Sequence, residues 1–277
     1  MATAVIPSAP LSGPLDFAEK SILITGAATG LGLATASALS STGAYITIAT
    51  NVATASEVLD SFHSSGAHVQ EVLCDVSNWD SLHSAFKKAL TFSPTGTLDV
   101  VAMFAAVDKQ GHLVDQIAAV GVEDEPQPPS TAELDINLKG TLYTTSLALH
   151  YFRHHSAQPA TAESSRDKSL IFVSSLAGYI DDTHNSVYTT SKFGTRGLWR
   201  SIRAKAGADM GVRCNLIAPW AIKTPMTAPI LAMLDQFGIK EGQGITFASE
   251  ETVAQAVVKC VGDTSISGKL GKVVELW

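Results

Sequence analysis

Short apolar runs alternate regularly with longer amphipathic segments from about residue 20 to the end of the chain. Segments such as "LGLATASALSST" and "SLHSAFKKAL" have the length and apolar spacing of crossover helices. This alternation predicts one α/β domain, a doubly wound and mostly parallel seven-stranded sheet with helices on both faces and a ligand site at the carboxyl ends of the strands. The predicted strands are "SILIT" (21–25), "AYITIAT" (44–50), "HVQEVLC" (68–74), "LDVVAMFAA" (98–106), "SLIFVS" (169–174), "VRCNLI" (212–217) and "KVVEL" (272–276).

Breaks in this alternation suggest the domain organisation. We expect a flexible leader over residues 1–17 and one domain over residues 18–277, with surface insertions near 108–130 and 154–168. The first insertion ends in an acidic, proline-rich run and leaves a strand end, so it is placed to border a pocket. The second is polar and of low complexity, as expected of a surface loop.

Composition excludes several classes of function. A net charge of −7 without a basic stripe argues against nucleic acid as a partner. The longest apolar runs are strand-sized and the N-terminus lacks the pattern of a secretory signal, so we expect a cytoplasmic protein that does not bind membranes. The three cysteines form no CxxC pair and the histidines form no HExxH pattern, which predicts no metal site.

The segment "ILITGAATGLGLATA" places three glycines, Gly26, Gly30 and Gly32, between a predicted strand and a predicted helix. Glycines at such a junction let the backbone turn tightly and approach a pyrophosphate, whose charge the helix N-terminus favours. A purely structural turn is the alternative for this segment taken alone. Its place in the first βα unit of a doubly wound chain favours a dinucleotide site.

A second group of motifs follows in a fixed order along the chain. "CDVS" contains Asp75 and Val76, "DINLKG" contains Asn137, "VSSLAG" contains Ser175, and "SVYTTSKFG" contains Tyr188 and Lys192. Tyr and Lys four residues apart are an ordinary pair on any helix. Together with the glycine turn and "NLIAPWAIKTP", however, these motifs resemble the short-chain dehydrogenase/reductase family over nearly the whole chain from about residue 18.

The resemblance implies a role for each residue of a catalytic group. Tyr188 would be the general acid/base, because a phenol with a pKa normally about 10 can protonate a developing alkoxide if a nearby cation favours the phenolate. Lys192 would be that cation and would bind the ribose hydroxyls, Ser175 would orient the carbonyl group, and Asn137 would hold a water linking Lys192 to solvent. The implied cofactor-binding residues are Gly26, Thr29, Gly30, Leu31, Gly32, Thr50, Asn51, Asp75, Val76, Ala105, Ala106, Tyr188, Lys192, Ile222 and Thr224.

The residues after the second strand bear on the choice of cofactor. An acidic residue there hydrogen-bonds the ribose of NAD and repels the 2′-phosphate of NADP. In this chain Thr50 stands at the acidic position and Asn51 follows it, where NADP-preferring relatives often have Arg. Thr29 likewise stands where those relatives carry a basic residue. The pattern favours NADP(H) without excluding NAD.

Two turns depart from the family pattern. After the fourth strand, Phe104 and Ala106 stand where relatives usually carry Asn and Gly, which removes hydrogen bonds and adds a methyl group near the cofactor. After the sixth strand, Trp220 follows Pro219 where relatives have Gly, and we expect it on the cleft side. Met226 begins an apolar segment that forms either a lid or a packed helix, and His184 is expected at the pocket rim or on the surface.

These features support three hypotheses on function. The first is an NADP(H)-dependent oxidoreductase that interconverts a ketone and a secondary alcohol on a fairly large apolar substrate, such as a polycyclic or polyketide-like compound. The second retains the fold but isomerises or cyclises its substrate, with the cofactor structural or absent. The third, a redox-sensing binding module, is disfavoured because binding alone does not require Ser175, Tyr188 and Lys192. The resemblance also implies a homodimer or homotetramer formed through the two long helices that carry Asn137 and Tyr188.

Overall fold

Seven strands form a single parallel sheet in the part of the chain that the computed structural model describes, which comprises residues 15–109, 111–121, 123–154, 167–181, 185–220, 222–224, 226–228, 236, 247–268 and 270–273. Their order is β3-β2-β1-β4-β5-β6-β7, and every pair is parallel. The predicted doubly wound fold is therefore confirmed. Strand order reverses between β1 and β4, where such sheets form a crevice at the carboxyl ends of the strands. The strands are β1 (Ser21–Thr25), β2 (Tyr45–Thr50), β3 (Val69–Leu73), β4 (Val100–Met103), β5 (Lys168–Val173), β6 (Val212–Pro219) and β7 (Leu270–Val273).

Helices cover both faces of the sheet and bury two apolar clusters against it. The described helices are α1 (Gly30–Ser40), α2 (Ser56–Ser64), α3 (Trp79–Phe92), α4 (Leu113–Ala118), α5 (Ala132–Leu134), α6 (Gly140–His154), α7 (Ser186–Met210) and α8 (Glu250–Gly262). One cluster packs beneath α1 and α8, and the other packs beneath α3, α6 and α7. Trp199 is fully buried in the second cluster, and its indole N–H donates to the carbonyl oxygen of Cys214 at 2.9 Å.

The structure places some boundaries differently from the sequence prediction. The domain includes Phe17, which was assigned to the leader, because its side chain is buried in the core and its N–H donates to the carbonyl oxygen of Thr42. Strand β4 was predicted to reach residue 106 but ends at Met103, because the N–H of Ala105 bonds a side chain, Thr25 Oγ1, instead of a strand. Most of the leader and of the 154–168 insertion, residues 1–14 and 155–166, lies outside the described residues.

The long segment before β5 contains an irregularity that apolar periodicity did not predict. Helices α5 and α6 are joined by a π-helical turn over Asp135–Lys139, which contains Asn137. A π-helical turn inserts an extra residue per turn and is frequent at functional sites. Within the first insertion, α4 is the helix before α5, and its Leu113, Val114 and Ile117 are exposed.

Candidate active site

A cleft of 680 Å³ runs along the carboxyl ends of the strands at the predicted crevice. Nearly all of the predicted site residues line it, although they come from several separate loops. Asn137 does not line the cleft, and His184 lies outside the described residues. The predicted residues that line the cleft are Gly26, Thr29, Gly30, Leu31, Gly32, Thr50, Asn51, Asp75, Val76, Ala105, Ala106, Ser175, Tyr188, Lys192, Trp220, Ile222, Thr224 and Met226.

The glycine turn between β1 and α1 forms one wall of the cleft. Gly26 has a φ of +71°, and a Cβ built on it would lie 2.5 Å from the Cα of Ala105. A Cβ on Gly32 would overlap the carbonyl oxygen of Gly26. Glycine at position 26 therefore allows this turn to lie against the turn after β4, and glycine at position 32 allows α1 to start close to Gly26. Side chains at these two positions would prevent such a tight turn.

This wall fits the pyrophosphate of a dinucleotide. Thr29 precedes α1 without a capping bond from its side chain, and the first turn of α1 contains no acidic residue. The first N–H groups of a helix have no partners within that helix, and together with the helix dipole they attract anions. The uncapped start of α1, lined by small residues, has the donors and the space that a pyrophosphate needs.

The turns after β2 and β3 form the far end of the cleft. The hydroxyl of Thr50 is buried and closes its own turn, since it donates to the carbonyl oxygen of Val52 at 2.9 Å. Asn51 is exposed and lines the cleft, at the position where the resemblance to the family implies contact with the cofactor ribose. Asp75 accepts hydrogen bonds from the N–H and the hydroxyl of Ser77, which fixes the turn after β3.

Three residues of the predicted catalytic group, Ser175, Tyr188 and Lys192, line the cleft after β5 and at the start of α7. Tyr188 lies in the first turn of α7, and Lys192 lies one turn further on, with its Nζ 5.4 Å from the centre of the Tyr188 ring. Ser175 follows β5 and accepts a hydrogen bond from the N–H of Ala177 at 3.2 Å. Its neighbour Ser174 is buried and donates to the main-chain oxygen of Lys192, so Ser174 is structural and Ser175 is the more accessible hydroxyl of the pair.

Lys192 is a buried cation. Its side chain donates from Nζ to the carbonyl oxygen of Val173 at 3.2 Å, and the residue is 4% exposed. Burial lowers the pKa of Lys192 from 10.5 to about 8, and the negative charge of Asp108 partly opposes that change. The pKa of the ammonium group is therefore held close to neutral pH, where small changes in its surroundings alter its protonation.

The side chain of Asn137 hydrogen-bonds protein groups on two other elements. Its side-chain amide accepts from the N–H of Val107 at 2.8 Å and donates to the carbonyl oxygen of Val107 at 2.8 Å and to Ser191 Oγ at 3.1 Å. The π-helical turn thus directs this side chain to the loop after β4 and to α7. These bonds hold the loop after β4 at Val107, three residues beyond Phe104.

Sequence reasoning missed a polar group beside the cleft. Asp108 and Lys109 line the cleft at the start of the first insertion. Asp108 accepts a hydrogen bond from the buried Asn185, the N–H of Lys109 donates to the buried Glu133, and Asn185 also donates to Glu133. The signal for Asn185 was present, because Asn before an apolar helical segment is a common N-cap. Nothing in the sequence indicated that its amide would meet two carboxylates, because that contact joins residues 52 and 77 positions apart.

Two further properties concern only the described part of the chain. None of its helices combines the length and the apolarity that crossing a bilayer would require. Its His, Cys, Asp and Glu side chains form no group of three or more that could hold a metal ion. All three cysteines are free and buried.

Comparison with known proteins identifies the family. The family model "short chain dehydrogenase" matches residues 20–235. A 5′-hydroxyaverantin dehydrogenase of Dothistroma septosporum is 40% identical over 256 residues, covering 90% of this chain and 82% of that protein. The protein belongs to the short-chain dehydrogenase/reductase family, which is a family of NAD(P)-dependent oxidoreductases.

Two other comparisons agree with this assignment. An NADP-dependent dehydrogenase of Cochliobolus lunatus is 32% identical over 252 residues, which cover 90% of this chain and 86% of that protein. The crystal structure of a short-chain type dehydrogenase/reductase from Mycobacterium marinum superposes with a TM-score of 0.76 over 93% of this chain and 95% of that one. At 20% identity, that likeness concerns the fold alone.

Proposed function

We propose that the protein is an NADP(H)-dependent oxidoreductase that interconverts a ketone and a secondary alcohol on a large apolar substrate. The observation that carries the proposal is that Ser175, Tyr188 and Lys192 line the same cleft as the glycine turn. A nicotinamide bound there supplies or accepts the hydride at the reacting carbon. The residues of the chain then have to orient the carbonyl oxygen and move its proton.

The proton chemistry is assigned to the three side chains at the β5 and α7 end of the cleft. The hydroxyl of Ser175 holds the carbonyl oxygen of the substrate, and Tyr188 gives that oxygen its proton during reduction and removes it during oxidation. The ammonium group of Lys192 stabilises the negative charge that develops on the Tyr188 oxygen. Its burial strengthens this effect, because charges interact more strongly away from water.

The cofactor preference rests on the turn after β2. Thr50 carries no carboxylate, its hydroxyl is used within the turn, and the adjacent Asn51 is neutral and exposed. No negative charge of these two residues opposes a 2′-phosphate. The relative from Cochliobolus lunatus named as NADP-dependent supports the same preference.

The substrate class rests on the apolar end of the cleft. Trp220 is 41% exposed and Met226 is 40% exposed, although both line the cleft, and Phe247 lines it as well. Large apolar surface left open in a cleft is typical of a site for an apolar ligand. Two relatives, each 40% identical, are named 5′-hydroxyaverantin dehydrogenases, so 5′-hydroxyaverantin is the first substrate to assay.

The proposal is tested by titration and turnover on the purified protein. NADPH is expected to bind more tightly than NADH, and oxidation of 5′-hydroxyaverantin with NADP⁺ is expected to produce NADPH. Ser175→Ala should reduce turnover strongly, whereas Ser174→Ala should act mainly through stability because its hydroxyl bonds the main chain. Conversion of a substrate without any change in the cofactor would instead support isomerisation or cyclisation.

A further inference from the structure

We propose that Asn185 is a positioning residue that locks the start of the Tyr188 helix to the loop after β4. The inference rests on the proposed oxidoreductase function and extends it to a residue that does not line the cleft. Asn185 is fully buried and is the N-cap of α7. Its side chain is engaged on both sides, through its oxygen and through its nitrogen.

The side-chain oxygen of Asn185 fixes the first turn of α7. It accepts hydrogen bonds from the N–H groups of Val187 and Tyr188, each at 3.0 Å. These bonds satisfy donors that a helix otherwise leaves without partners, and such a cap stabilises the start of the helix. One of the two donors is the N–H of Tyr188 itself, so the cap directly fixes the main chain that carries the Tyr188 phenol.

The side-chain nitrogen of Asn185 ties that helix start to two other elements. It donates to Oδ1 of Asp108 at 2.6 Å and to both carboxylate oxygens of Glu133 at 3.2 Å. Asp108 belongs to the loop after β4, and Glu133 belongs to α5. Glu133 is 1% exposed, so its carboxyl group depends on hydrogen bonds from the protein because solvent does not reach it.

The loop after β4 is held at three consecutive residues by the same group of side chains. Asn137 bonds the main chain of Val107 in both directions, Asn185 bonds the side chain of Asp108, and Glu133 accepts from the N–H of Lys109. This loop directly follows Phe104, Ala105 and Ala106, which line the cleft. Asp108 lines the cleft too, and its charge acts on Lys192.

The consequence is a fixed relation between Tyr188, the proton donor, and the loop after β4, which also lines the cleft. A shift of about 1 Å between reacting groups can cost about a hundredfold in rate. Asn185 is well suited to prevent such a shift, because one rigid amide contacts the helix of Tyr188, the loop of Asp108 and α5. The effect of losing it should therefore fall on turnover and leave the glycine wall of the cofactor site intact.

The test separates the two sides of the Asn185 side chain. Asn185→Ser keeps an oxygen that can cap α7 but removes the amide donor. The matched control is Asn78→Ser, since Asn78 caps α3 through its oxygen, accepting from the N–H of Ser81 at 2.9 Å, and is exposed and away from the cleft. Asn185→Thr, which also keeps a capping hydroxyl and lacks the amide donor, serves as a second variant if the first does not fold.

Three measurements are made on the wild type and on each variant. We expect Asn185→Ser to lower kcat about tenfold or more, to change the Kd of NADPH less than about twofold, and to accelerate amide hydrogen exchange in residues 107–109. The control should change none of the three. A kcat within about twofold of wild type, or unchanged exchange in residues 107–109, would overturn the inference.

The same experiment distinguishes failure of this inference from failure of the proposed function. If the wild type turns over no ketone or alcohol, the proposed function fails, and hydrogen exchange still decides whether Asn185 ties the loop to the helix. If the wild type is active and Asn185→Ser is equally active, only the inference fails. A parallel loss of NADPH binding and kcat would assign Asn185 to general stability and would also overturn it.

Discussion

Replacing Lys192 by Met should change how the stability of the protein depends on pH. Lys192 is 4% exposed, and its pKa in the native state is about 8, against 10.5 for an unperturbed lysine. Each pKa unit corresponds to about 1.4 kcal/mol, so holding the ammonium in place costs the native state about 3 kcal/mol at neutral pH. Lys192→Met removes this cost. It also changes packing and hydrogen bonding, which alters the free energy of unfolding by an amount that does not depend on pH.

The sign follows from proton binding. Below about pH 8 both states carry the proton and the wild type bears the full cost. Between about pH 8 and 10.5 the native Lys192 has lost its proton while the unfolded chain keeps it, so wild-type stability rises relative to the variant. From about pH 7 to pH 10 the difference in unfolding free energy should therefore move by about 2.5 kcal/mol in favour of the wild type.

Urea unfolding of both proteins at several pH values measures this difference. The change with pH is independent of the constant packing term, which is why it tests the electrostatic argument alone. Lys87→Met, at an exposed position on α3, corrects for the general effect of removing one ammonium group. A difference that stays constant from about pH 7 to pH 10 after this correction would refute the buried-cation account of Lys192.

Two further predictions concern the glycine wall and association. Gly26→Ala should lower the free energy of unfolding by about 2 kcal/mol more than Gly66→Ala, and should weaken NADPH binding. Both glycines have a positive φ, so the backbone strain of the two alanine variants is similar. Only at Gly26 would the new methyl group overlap Ala105, and such overpacking costs about 1–3 kcal/mol. Equal losses of stability in urea unfolding would contradict this prediction. Phe193→Glu should reduce the mass measured by sedimentation. Phe193 on α7 is 43% exposed and Leu142 on α6 is 49% exposed, and they are the apolar contacts expected between subunits. An unchanged mass would exclude these helices as the interface.

Motif order and strand alternation predicted the sheet and most of the cleft. Gly26 was predicted from its place between a strand and a helix, whereas Ser175 and Tyr188 were predicted from the resemblance to the family. In a doubly wound sheet, strand ends and helix starts meet at one edge. The resemblance together with that topology was sufficient to place these residues along one cleft.

The remaining part of the site depends on contacts that no local pattern encodes. Glu133 of α5 and Asp108 of the loop after β4 both accept hydrogen bonds from Asn185 at the start of α7, so three separate elements contribute to this group. Asn137 was identified as a site residue, yet its side chain bonds Val107 and Ser191, and it does not line the cleft. Which partner a buried amide selects is decided by tertiary packing, so these bonds had to be read from the structure.

The central claim is that Tyr188 delivers the proton for carbonyl reduction in the cleft. The most direct measurement incubates the protein with a ketone and NADPH that carries deuterium at the reactive position of the nicotinamide, and determines deuterium in the alcohol by mass spectrometry. We predict one deuterium per alcohol formed by the wild type, and a rate lowered at least about a hundredfold in Tyr188→Phe, the loss typical of a missing general acid. Product without deuterium, or an undiminished rate in Tyr188→Phe, would contradict the account.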